Sequence, residues 1–109
     1  MSTYTPDRWV VIEIAYPNQE TGKLDVHRRV FAGWYGGYAG SDSWRMNSGI
    51  TMTREFDDRY EFDGASGSAY VCYKSAYGMS GYQQHVLSSY QKDMAESGGT
   101  IAVVEDEYA

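Results

Sequence analysis

The chain has 109 residues, 42% of them hydrophobic and 16% aromatic, with a formal net charge of −6 at pH 7. That length suits one domain over residues 1–109 with a modest core, and the acidic balance argues against general nucleic-acid binding, which draws on clustered Lys and Arg. No apolar run approaches the ~20 residues of a membrane span, and a single cysteine, Cys72, excludes an internal disulfide.

The opening MSTYTPDRWVVIEI has no basic stretch ahead of an apolar run, so a cytoplasmic location is expected. Residues 8–16 and 24–32 alternate with period two and are rich in β-branched side chains. Gly22 in the polar turn between them predicts an antiparallel hairpin. Val10, Ile12, Ile14 and Tyr16 share one face of the first strand, and Trp9, Val11 and Glu13 share the other. Further strands are expected at residues 50–56, 59–63 and 69–74, and a short one at 100–104. Ser80 with Gln83 three residues on has the form of a capping box and predicts a helix over 81–97. Its stripe of Val86, Leu87, Tyr90 and Met94 is expected to meet Val10, Ile12, Ile14 and Val30. Gly98-Gly99 supplies the C-cap, and residues 105–109 read as an acidic tail. The fold class is therefore α+β: a twisted, mainly antiparallel sheet of five or six strands with one helix on one face. An aromatic second face left uncovered by one helix points to a homo-oligomer.

Nine of the twelve glycines lie between Gly33 and Gly81. They lie in or beside three segments, GWYGGYAGSDSW, GASGS and YGMSGY. The stretch Gly33 to Gly49 lacks leucine, isoleucine and valine yet holds two of the three tryptophans. Glycine lets backbone approach a ligand, and successive N–H groups with serine hydroxyls suit an anion. Trp34, Tyr35, Tyr38, Trp44, Tyr77 and Tyr82 offer rings that stack on a base. Ser41, Ser43, Asn47, Ser66, Ser68 and the helix start at Ser80 offer polar groups. Arg45 and Lys74 are the nearest cations. Together these candidates fit a small, anionic, nucleotide-type ligand, and the same segments also fit structural loops in which rings plug the end of a sheet.

Catalysis has little support. Cys72 and His85 are the only conceivable nucleophile–base pair, and Cys72 between Val71 and Tyr73 reads as a small buried residue. No His or Cys spacing suits a metal, and no cofactor motif is present. The carboxylates Asp57, Asp58, Glu61 and Asp63 read as turn and solvent-facing groups.

The segments RVFAGWYGGYAGSDSWRMNSGI and SGSAYVCYKSAYGMSGY, and the helix after them, resemble a family of small accessory proteins of tailed bacteriophages. The resemblance runs from about Trp9 to Val104. It implies a protein made in the cytoplasm of an infected bacterium, and such proteins often blunt host defence. The expected function is sequestration, without chemistry, of a nucleotide-type signal such as a cyclic oligonucleotide or an ADP-ribose derivative. The alternative is direct inhibition of a host defence protein, including by mimicry of DNA charge. A third reading is a structural or virion-assembly accessory.

Overall fold

The hairpin expected at residues 8–32 is the centre of the fold. In the computed structural model, which describes residues 2–36, 41–105 and 107–108, β1 is Thr3–Tyr4, β2 is Arg8–Pro17 and β3 is Leu24–Trp34. β4 (Ser43–Met46), β5 (Ile50–Glu55), β6 (Arg59–Gly64) and β7 (Ala69–Tyr73) follow, then helix α1 (Gly81–Glu96) and β8 (Thr100–Val103). One sheet has the order β4-β3-β2-β8 and the other β1-β7-β6-β5. All pairings are antiparallel except the short β1–β7 pair. The α+β class with a helix on a largely antiparallel sheet holds. The single sheet of five or six strands does not: eight strands form two four-stranded sheets.

β2 explains the layering. Its even residues Val10, Ile12 and Ile14 are buried with Phe31, Leu87 and Ile101 beneath the helix. Its odd residues Trp9 and Val11 are buried with Val30, Ala32, Tyr60, Phe62, Tyr70 and Cys72 between the sheets. Side chains alternate across a strand, so one strand with apolar residues on both faces requires two covering layers. The aromatic face that the sequence reading left for another subunit is thus covered from within the chain. Val30 is a second correction. The register pairs Val11 with Val30 and Val10 with Phe31, so Phe31 and not Val30 meets the helix.

The capping box forms as expected. Ser80 Oγ accepts from the Gln83 N–H at 3.1 Å, and Gln83 Oε1 accepts from the Ser80 N–H at 2.9 Å. Gln83 is fully buried and packs on Gly33, where any Cβ would collide with its side chain. No helix among the described residues is long and apolar enough to cross a membrane.

Two features escape the sequence reading. Residues 43–46 form an edge strand inside a stretch read as loop, because Phe31, Ala32, Gly33 and Trp34 of β3 offer it a pairing partner. Residues after β8, read as a tail, run back over the sandwich. The Val104 N–H donates to the Val11 carbonyl at 2.8 Å, and the Tyr108 ring packs against Trp9, Tyr60 and Phe62.

Candidate functional site

The glycine-aromatic segments are held largely by their own side chains. Trp34 ends β3, its Nε1 donates to the Thr5 carbonyl at 3.0 Å, and its ring meets Tyr4 edge-on. The Tyr35 N–H donates to Asp7 Oδ2 and the Gly36 N–H to Asp42 Oδ1, both at 2.9 Å. Two carboxylates of the chain thus occupy N–H groups that an external anion would need. Ser41 is exposed, and Ser43 stands opposite Trp34 at the start of β4. Tyr38 lies outside the described residues. Trp44 packs on Phe31 and Tyr90 on the helix side of the sheet, whereas the Arg45 guanidinium lies 4.6 Å over the Tyr4 ring. Asn47 is 3% exposed, and its Oδ1 accepts the Val30 N–H at 2.9 Å. Its buried Nδ2 has no hydrogen-bond partner among the described residues.

The second segment closes on itself. The Ser66 N–H donates to Ser48 Oγ and the Gly64 N–H to the Ser68 carbonyl, both at 2.8 Å. Lys74 pairs with Glu55 at 2.7 Å and lies over the Tyr60 ring. In the third segment Tyr77 stands edge-on to Trp9, Ser80 caps the helix, and Tyr82 is exposed on its first turn. Arg8 joins the first and third segments: its Nε donates to the Tyr35 hydroxyl at 3.0 Å and its Nη1 to the Tyr77 carbonyl at 3.2 Å. The second segment sits elsewhere, with the Ala65 N–H on the Gly49 carbonyl at 3.0 Å. It also lies against candidate Asn47, whose Nδ2 is close to Gly64.

Among the described residues, two grooves bear on the site. One, of about 380 Å³, lies beside the helix start between Val10, Tyr77, Gly78, Met79, Gln84, Val103 and Glu105. Glu105 contributes a carboxylate to its wall, and the Arg8 guanidinium lies beside Tyr77 and Gly78. The other, of about 490 Å³, is the mouth between the two sheets, where Val26 and Arg28 of β3 face residues 50–53 of β5, with Tyr108 at its inner end. Leu24 is 65% exposed, Val26 52% and Met52 55%. β5 is also the last strand of its sheet, so among the described residues its outer edge has no neighbouring strand. Backbone groups on such an edge are a template for another chain.

Arg28 fixes the floor of this mouth. Its guanidinium donates to both Glu107 oxygens, at 2.8 and 3.1 Å, and to Glu13 at 3.2 Å. Glu107 foremost holds the Arg28 pKa well above its ordinary value, and Arg28 holds Glu107 below the usual carboxylate range. Arg28, Glu107 and Tyr108 are the residues that sequence reasoning missed. The available signal was one aromatic at the end of a run of acids, which a purely solvated tail has no use for.

Cys72 faces the core between the sheets, and burial pushes its thiol pKa up. His85 is exposed on α1, which packs on the other side of the central sheet, so the two form no nucleophile–base pair. No group of three or more potential metal ligands occurs among the described residues. Comparison with family models, with characterised proteins and with solved structures returns no match.

Proposed function

We propose that this is a binding protein without chemistry of its own that acts by direct contact with another protein, at the mouth between β3 and β5. The observation that carries the reading is the joint exposure of Leu24, Val26 and Met52 beside an unpaired strand edge. Single exposed apolar residues are ordinary, but Val26 and Met52 line one groove beside a strand edge, and such an edge suits a protein contact. The internal satisfaction of Tyr35, Gly36, Gly64 and Ser66 N–H groups supports it from the other side, by removing donors that an anionic ligand would use. In the phage setting that the resemblance implies, the partner is a host defence protein.

The test is capture from infected bacteria with tagged wild-type chain and with a Val26→Asp/Met52→Asp double variant. Stoichiometric capture of one host protein by the wild type, lost in a variant of unchanged melting temperature, is the expected result. Equal capture by both overturns the reading.

A second reading, sequestration of a nucleotide-type signal, draws on Arg8. Among the described residues this cation makes no ion pair, and it sits where two of the glycine-aromatic segments meet. Calorimetry with cyclic dinucleotides, cyclic trinucleotides and ADP-ribose derivatives tests it, with Arg8→Ala as the control. Sedimentation of the wild type reports whether the protein works as a homo-oligomer.

A further inference from the structure

Glu107 and Tyr108 are guests in the cleft between the sheets. Past Val104 the chain turns, with the Glu107 N–H on the Glu105 carbonyl at 2.9 Å. Tyr108 then enters a cage of three rings. Its centroid lies 6.3 Å from Trp9, 5.3 Å from Tyr60 and 5.7 Å from Phe62. The interplanar angles are 69°, 79° and 71°, so each contact is edge-to-face, a favoured aromatic geometry. Beside the cage Glu107 lays both oxygens on Arg28, the fork geometry in which guanidinium recognises a carboxylate.

This seat opens directly into the mouth lined by Val26 and Met52, since Tyr108 itself forms the inner wall of that groove. The fork is solvent-exposed on both sides, where an ion pair contributes little, and Tyr108 stays partly exposed. The guest is therefore well matched in shape and chemistry and only modestly held.

We infer that the seat takes, in exchange for Glu107 and Tyr108, an extended segment of a partner protein in which a carboxylate residue directly precedes an aromatic one. This rests on the β3–β5 mouth being the contact surface proposed above. A tethered guest has an effective concentration of order mM. A partner displaces it by adding contacts that the guest does not make: side chains against Val26 and Met52, and backbone hydrogen bonds along the open edge of β5. The strap then acts as a selectivity threshold. Segments that offer only apolar contact do not displace it, and segments that match the fork and the cage do.

The probe is a fluorescein-labelled peptide with the sequence of residues 103–109, VVEDEYA, titrated by fluorescence anisotropy. The full chain carrying Tyr108→Ala is expected to bind it saturably, and at least ten-fold more tightly than the wild type. Binding is expected to vanish when the peptide tyrosine becomes alanine or when the chain also carries Arg28→Met. Where Tyr108→Ala does not fold, the chain carrying Glu107→Gln keeps the ring, loosens the fork, and is expected to bind more tightly than wild type. No binding to a folded variant, or equal binding to variant and wild type, overturns the exchange. A wild type that sediments as a dimer while the Tyr108→Ala chain is a monomer also overturns it, by giving the seat to a second copy. Host-protein capture that depends on Val26 and Met52 without any peptide binding leaves the contact surface standing and removes only the exchange.

Discussion

Trp44 and Arg45 are consecutive in β4 and lie on opposite faces of the sheet, one ring against Phe31 and Tyr90, the other side chain over Tyr4. A ligand stacked on the indole therefore does not also meet the guanidinium. Trp44→Ala is expected to lower stability by about 1–3 kcal/mol through lost burial and ring contacts. Arg45→Ala, an exposed site, is expected to stay within about 0.5 kcal/mol. Urea denaturation measures both. Parallel losses of nucleotide affinity in the two variants, at unchanged stability, would restore the sequestration reading.

Gly33→Ala tests the junction of helix and sheet. The added methyl collides with Gln83, which is fully buried and completes the capping box. Overpacking of this kind costs about 1–3 kcal/mol, because the Gln83 side chain must leave the position in which it caps the Ser80 N–H. Thermal melts of Gly33→Ala against a Gly81→Ala control, at a site with open space, separate the collision from a general glycine effect.

Tyr108→Ala removes one wall of the Trp9 cage. A stability loss of about 1–3 kcal/mol is expected from the lost ring contacts and apolar area. Trp9 emission should shift to the red in the folded variant as water gains access. An unchanged spectrum and melting temperature would mean that the ring contributes nothing to closing the sandwich.

Acid should weaken the same contacts. Glu107, Asp63 and Glu55 have folded-state pKa values lowered by Arg28, Arg54 and Lys74 respectively. A carboxylate lowered on folding contributes stability above its unfolded pKa and loses it as pH falls through the folded value. Stability is therefore expected to decline below about pH 4.5, the ordinary range of these groups. Glu107→Gln should flatten part of that decline, as read by denaturation at neutral pH and at successively lower pH.

The Cys72 thiol should be inert in the native state. It is fully buried and its pKa is raised by burial, so little reactive thiolate is present. Ellman's reagent is expected to titrate it only after denaturation. Rapid reaction of the folded chain would contradict the closed sandwich.

The hairpin and helix were legible because local signals carry them. Alternation at Val10, Ile12 and Ile14, a turn with Gly22, and the Ser80–Gln83 box each act within a few residues. The assignment of Phe31 to the helix face was not, because it depends on which residue opposes Val10 across the hairpin, and a shift of one residue exchanges the faces. β4 does alternate, Trp44 and Met46 against Ser43 and Arg45, but four residues in a glycine-rich stretch are too short a signal, and the strand exists because β3 extends far enough to pair with it. The second sheet was half visible: Trp9 and Val11, Tyr60 and Phe62, Tyr70 and Cys72 each mark a buried face, yet nothing local says that these faces meet. In the glycine-aromatic segments composition was read as spare donor capacity, and the donors turned out to be taken by Asp7, Asp42 and Ser48, partners that only the tertiary arrangement supplies. The strap was hidden because Glu107 looks solvated until Arg28 is placed beside it.

The position of β8 has a consequence for biogenesis. Ribosomes deliver β2 early, and its two neighbours arrive at very different times, β3 at once and β8 only after the helix. Ile12 waits for Val103, and Trp9 waits for Tyr108. Throughout that interval the nascent chain presents an unpaired strand of valines and isoleucines, the type of edge that recruits strands from other chains. Ribosomes that stall before Thr100 should therefore hold chains that enter the insoluble fraction, while chains extended past Tyr108 stay dispersed. The hazard of this fold belongs to synthesis, and Thr100 to Val103 with Tyr108 are the residues that remove it.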